Sequence, residues 1–176
     1  MAARSTLSLA LRCAVRSPWR PSRAQILRWL RVALAESDCR HAELGVRLVG
    51  SEEGRALNRD YRGRDHATNV LAFGYSAPPD MSGDLVVCLP VLLDEAAAQG
   101  KSPVAHCAHL IIHGCLHLLG HDHETEAQAD AMESLERRLL AGLGLPDPYR
   151  PAAGLPVADP VMTDGPTVSS LADRAP

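Results

Sequence analysis

Ser102-Pro103-Val104-Ala105-His106-Cys107-Ala108-His109-Leu110-Ile111-Ile112-His113-Gly114-Cys115-Leu116-His117-Leu118-Leu119-Gly120-His121-Asp122-His123 reads as one helix and the turn that ends it. Ser102 is an N-cap residue, and Pro103 suits the first helical position, where its missing N–H costs nothing. Gly120 stops the apolar run, because glycine readily takes the left-handed conformation that closes a helix. At about 100° per residue, His106, His109, His113 and His117 fall within roughly 80° of one another and share a face. A polar, solvated face would look the same; the histidines beyond the turn are what point to a metal. Imidazoles at i and i+4 lie one turn apart and can hold an ion from one side, but they cannot close a tetrahedron. The turn at Gly120 brings the chain back so that His121 or His123 supplies a third nitrogen, and spacing does not choose between them. Three imidazoles with an open fourth position form the donor set of a catalytic zinc site, whereas structural sites are closed by four protein ligands, often Cys.

The remaining histidines and thiols fit less well. His109 and His113 are also an i, i+4 pair, but three successive turns are nearly linear, so the pair nearest the turn, His113 and His117, is preferred. His106 lies about 10 Å from His113 by helical rise, too far for direct ligation. Cys107 and Cys115 point off the stripe and read as core thiols.

Upstream, Leu7, Leu9, Leu11, Cys13 and Val15 alternate with other residues in the period of a half-buried strand, and Pro21-Ser22 opens a helical stripe at Ile26, Trp29, Leu30 and Ala33. The same segment is rich in Arg without an acidic residue, which would also suit a mitochondrial leader. The succession of two structural periods favours a folded strand and helix. Leu44, Val46 and Leu48 give a second strand, Ser51 is a candidate cap for a short helix to about Tyr61, and 68–73 and 84–89 are short strand-prone runs. Pro90 starts a helix that stops at Gly100. Thr125 and Gln128 form a capping box for a last helix with the stripe Ala127, Met132, Leu135 and Leu139. These elements predict a single α+β domain over 1–150. Residues 151–176, punctuated by Pro, predict a disordered tail.

The 176 residues, 46% hydrophobic and 22% charged, exclude a fibrous or wholly disordered chain. No apolar run is long enough to span a bilayer, so no membrane partner is expected. Eighteen Lys and Arg against 21 Asp and Glu leave a net charge of −3, so attraction for nucleic acid has to be local. Five cysteines without CxxC spacing point to free thiols in a reducing compartment.

The spacing His113, His117, His123 is shared with metzincin proteases, which carry a Glu directly after the first His. Here that residue is Gly114, which cannot take a proton from an attacking water. The block His113-Gly114-x-Leu116-His117-Leu118-x-Gly120-x-Asp122-His123 instead resembles the signature of the YbeY endoribonucleases, the ribosomal RNA maturation factors. Leu57-Asn58-Arg59-Asp60-Tyr61-Arg62 with Asp65 and Thr68-Asn69-Val70-Leu71-Ala72-Phe73, and Gly83-Asp84-Leu85, look like that family's second and third blocks. Ala72 and Gly74 depart from it, since Ser and Pro commonly flank the Phe there. The likeness spans about 44–149.

The resemblance implies a zincin-like fold, a small mixed sheet packed by helices with the two-histidine helix central. It implies one zinc ion held by His113, His117 and His123, with Arg62 near the metal. It implies a single-strand-specific endoribonuclease of ribosomal RNA maturation, acting on the 3′ end of small-subunit RNA and in ribosome quality control, with ribosomal partner proteins and a cytoplasmic location. From the residues themselves, Arg62 can clamp a phosphate, Asp122 can orient a ligand imidazole or form the turn, and His109 can assist proton transfer or bond within the fold. Tyr61, Phe73 and Tyr75 are the few nearby stacking candidates for single-stranded RNA. Two other functions compete: a zinc peptidase lacking the usual Glu base, for which Glu124 is the nearest carboxylate in sequence, and a non-catalytic ribosome-assembly factor that zinc merely stabilises.

Overall fold

The computed structural model describes residues 5–151. Strands β1 (Thr6–Cys13) and β2 (His41–Val49) run parallel, Leu9 beside Leu44 and Leu11 beside Val46. A parallel pair cannot be joined by a tight turn, and the connection runs through helix α1 (Arg23–Leu34). Ser22 caps α1 in a reciprocal box with Gln25, and Ile26, Trp29, Leu30 and Ala33 are buried as the stripe predicts. Residues 6–34 are therefore part of the fold.

Helix α2 (Ser51–Arg62) leads to β3 (Val70–Ser76), which pairs antiparallel with β4 (Asp80–Cys88). β4 lies parallel to β2, so the order is β1-β2-β4-β3. Helices α3 (Leu89–Ala98), α4 (Pro103–Leu118) and α5 (Glu126–Gly142) complete a mixed α+β architecture of one four-stranded sheet and five helices among the described residues.

Four local expectations need correction. Gly50, not Ser51, precedes the first turn of α2, and it offers no side chain to cap it. The Ser51 side chain bonds the Cys88 thiol instead. β4 begins at Asp80 rather than 84, because pairing of Asp80 to Gly83 with His41 to Leu44 holds Gly83 inside the strand. β3 runs on to Ser76 rather than ending at Phe73, since Gly74 still pairs with Gly83. On α5, Ala127 is exposed, and the buried stripe is Met132, Glu136, Leu139 and Leu140.

α4 is the hub, touching α1, α3, α5, β3 and β4. Cys107, Ala108, Ile111, Ile112, Cys115 and Leu116 are wholly buried around it. Gly114 and Leu118 face the sheet, against Leu85 and Gly83 respectively. On the opposite sheet face α2 covers a smaller cluster of Val49, Leu71, Val86 and Cys88. There Tyr61, Phe73 and Tyr75 line a groove of about 610 Å³ with Arg12, Arg47 and Asp84. The aromatic residues expected beside a metal cleft thus lie across the sheet from α4, because successive strand residues face opposite sides. Beyond Pro151, the proline-rich segment lies outside the described residues.

Candidate metal centre

The start of α4 forms as its sequence dictates: the Ser102 hydroxyl accepts from Ala105 N–H at 3.1 Å, with Pro103 in the first turn. Its end is a Schellman turn, with Gly120 N–H donating to the His117 carbonyl at 2.9 Å and His121 N–H to the Leu116 carbonyl at 3.0 Å. Gly120 sits at φ 95°, in the left-handed region. The turn swings His123 back beside the helix, where the Asp122 carboxylate accepts the His123 backbone N–H at 2.8 Å.

His113, His117 and His123 each bring a ligand nitrogen within 4.8 Å of the others. The His121 ring is exposed, and its contribution is its backbone carbonyl, which accepts from His117 Nδ1–H at 3.0 Å. His113 Nδ1–H donates to Glu136 Oε1 at 2.6 Å. Both Nδ1 protons are thus committed to partners that can only accept, so in the neutral rings each Nε2 carries a lone pair. These two nitrogens face each other at 3.1 Å. Burial, and then the charges of His113 and His123, push the His117 pKa down to about 4, which disfavours a proton on that ring near neutral pH. His123 Nε2 is itself buried without a hydrogen-bond partner. Opposed lone pairs and an orphaned nitrogen are costly unless a cation lies among them. Tetrahedral zinc with Zn–N near 2.05 Å sets its nitrogens about 3.3 Å apart, close to the 3.1 Å between the His113 and His117 nitrogens, so that pair fits such an ion.

A carboxylate that sequence reading missed stands behind this group. Glu136 is wholly buried, and its Oε2 accepts from His109 Nε2–H at 3.0 Å and from the Tyr149 hydroxyl. Burial opposes its ionisation, but the bonds from His109 and His113 win and hold its pKa below the usual carboxylate range. Burial and the adjacent Glu136 charge push the Tyr149 pKa far up, keeping it a donor. His109, His113 and Glu136 also form a compact group of possible ligands, but their contacts are at hydrogen-bonding distance. The signal was present in the sequence: Glu136 lies four residues after Met132 and three before Leu139, on the apolar stripe of α5.

The other candidates occupy distinct places. His106 Nε2 contacts Glu95 Oε2 at 2.8 Å, and Asn69 donates to the same carboxylate at 3.0 Å, tying α4 to α3 and to the residue before β3. Arg62 is half-buried on the last turn of α2, while Arg55, Arg59 and Arg64 are exposed. Arg55 and Arg59 are held in surface pairs with Asp65 and Asp60. Burial, and then the charge of Arg64, lower the Arg62 pKa. Glu124 is exposed beyond the turn. At Gly114 a Cβ would meet Leu85 Cδ2 at 2.8 Å, so the position where metzincins carry their base is filled by the sheet.

Fold and site together define an α+β protein whose central helix and following turn gather three imidazoles that can hold a metal ion. The family model for endoribonuclease YbeY matches residues 17–144. An endoribonuclease YbeY of Alkalilimnicola ehrlichii is 54% identical over 142 residues, covering 75% of this chain and 86% of that one. One of Stutzerimonas stutzeri is 51% identical over 148 residues, covering 81% and 91%. The solution structure of TM1509 from Thermotoga maritima shares the fold, with a TM-score of 0.51 at 22% identity over 81% of this chain and 99% of that one. The chain belongs to the endoribonuclease YbeY family.

Proposed function

We propose that the chain is a zinc-dependent, single-strand-specific endoribonuclease of ribosomal RNA maturation, acting on the 3′ end of small-subunit RNA and in ribosome quality control. The observation that carries this reading is the pair of opposed Nε2 atoms of His113 and His117, 3.1 Å apart, with the buried, unpartnered His123 Nε2 beside them. His113, His117 and His123 are the zinc ligands on this reading, one ion per chain, in a zincin-like domain spanning 1–150. Bound there, zinc supplies Lewis acidity toward a phosphate oxygen and activates water near neutral pH.

The chain's own residues do the rest. Arg62 clamps the scissile phosphate and offsets charge that develops on it, a role suited to a guanidinium partly withdrawn from water. Asp122 fixes the turn through its bond to His123 N–H and so sets where that ring stands. His109 acts from behind, through Glu136. Ribosomal RNA and ribosome-associated proteins are the partners on this reading, and the cytoplasm its location. No helix of the described residues is long and apolar enough to cross a membrane.

The peptidase alternative lacks a base at the metzincin position, where Gly114 faces Leu85, and Glu136 is bonded to the Nδ1 side of His113, away from the convergent nitrogens. The test pairs metal analysis with cleavage of single-stranded RNA by wild type and Arg62→Ala. We expect cleavage to fall by at least about 100-fold in the variant, the scale of losing one transition-state donor, with fold and zinc content unchanged. Full cleavage by Arg62→Ala, or by metal-stripped protein, would overturn the mechanism. Wild-type protein that binds zinc and never cuts RNA would favour the assembly-factor reading.

A further inference from the structure

An imidazole ligates through Nε2 only while its proton sits on Nδ1, and a free histidine ring exchanges readily between the two tautomers. His117 is held in the productive form by a backbone carbonyl, which the helix end fixes in place. His113 has only a side chain for this purpose. We propose that Glu136 is the positioning residue that locks His113 in the Nδ1–H tautomer, and that His109 and Tyr149 hold Glu136 in turn. The proposal rests on the metal reading above and concerns residues that touch no substrate.

Three donors converge on the Glu136 carboxylate: His113 Nδ1–H on Oε1, and His109 Nε2–H with the Tyr149 hydroxyl on Oε2. Only a group with two oxygens and no hydrogen of its own can accept all three. The carboxylate is wholly buried, so no solvent competes for it. Its supports are anchored as well. The Arg137 guanidinium lies over the Tyr149 ring, 4.7 Å from its centre. Lys101 Nζ donates to the Pro148 carbonyl, tying the segment after α5 to the start of α4. Metal-ligating histidines elsewhere commonly donate their second N–H to such a carboxylate, and loss of that partner typically costs about 10- to 100-fold in metal affinity.

Glutamine at this position makes the claim directional. Its single oxygen is drawn to the Oε2 side, where two donors wait, which turns its amide N–H toward His113 Nδ1. That ring must then accept there and carry its proton on Nε2, where it blocks an ion. Long-range 1H–15N correlation of the metal-free protein reads the tautomer directly, and competition with a chromogenic chelator reads zinc affinity. We expect wild type to show His113 as Nδ1–H. We expect Glu136→Gln to show it as Nε2–H, with zinc Kd raised about 10- to 100-fold. Tyr149→Phe, which keeps the ring and removes one donor, should raise Kd by a smaller factor, and it carries the test if Glu136→Gln does not fold. An Nε2–H form in wild type, or a folded Glu136→Gln protein with unchanged tautomer and zinc Kd within twofold of wild type, would overturn the proposal. If Tyr149→Phe is the only folded variant, an unmoved zinc Kd overturns it too. Wild-type protein that shows Nδ1–H but has no affinity for zinc would remove the metal reading and leave the tautomer assignment standing.

Discussion

Gly114 shows how much one missing side chain can decide. It sits directly after the first ligand candidate, and the sheet comes so close that an added Cβ would stand 2.8 Å from Leu85 Cδ2, whose side chain is itself wholly buried. Alanine favours helix by about 1 kcal/mol over glycine, but forcing a methyl group into a full core costs about 1–3 kcal/mol. We expect Gly114→Ala to be destabilised by up to about 2 kcal/mol in a urea melt, against the propensity scale. A variant as stable as wild type would mean that Leu85 yields freely. At this scale the two helical histidines and Gly120 were legible, because period and cap chemistry are local. The choice between His121 and His123 was not legible from spacing, since it depends on where the turn delivers each ring. Glu136 stayed hidden for a related reason. Its burial is explained only by donors 23 and 27 residues earlier and 13 later in the chain.

Among the elements, helix boundaries were the most readable feature. The helix opening at Pro21-Ser22, the capping box at Thr125 and the Ser102-Pro103 start all stand where the residues put them. Strand limits were less so. The early half of β4 contains Gly83 and depends on pairing with β2, a contact across about 40 residues that no local pattern carries. The Arg-rich first segment posed the sharpest ambiguity, since a leader helix and a core helix can share one stripe. The packing of Ile26, Trp29, Leu30, Ala33 and Leu34 distinguishes them. At about 1.5–3 kcal/mol for each large buried side chain, these residues contribute on the order of the whole stability of a domain. Deleting residues 1–35 should therefore yield protein without a cooperative thermal transition by circular dichroism. A monomeric, cooperatively melting product would restore the leader reading for this segment.

For the molecule as a whole, α+β class followed from the mixture of periods, but the order β1-β2-β4-β3 did not, because sheet order is set by non-local pairing. Alternation along β3 and the packing of α2 on the far face place Tyr61 and Phe73, in edge contact at 5.0 Å, across the sheet from the histidines. The inference of free, buried thiols holds for four of the five cysteines: Cys39, Cys88, Cys107 and Cys115 are buried, and Cys13 is exposed. Burial pushes the Cys107 and Cys115 thiols up to about 12, which leaves almost no thiolate at neutral pH. A thiol reagent should modify one cysteine rapidly in the native protein and the other four only on denaturation. Rapid reaction of two or more would show that the core around α4 opens readily.

The proposed dependence of His113 on Glu136 and Tyr149 also has a meaning for biosynthesis. A growing polypeptide makes His113, His117 and His123 before Glu136 and Tyr149, so a chain still emerging from the peptidyl-transferase centre carries the rings before the brace. On the reading proposed above, affinity for an ion then rises about 10- to 100-fold only once α5 and the segment reaching Tyr149 have been made.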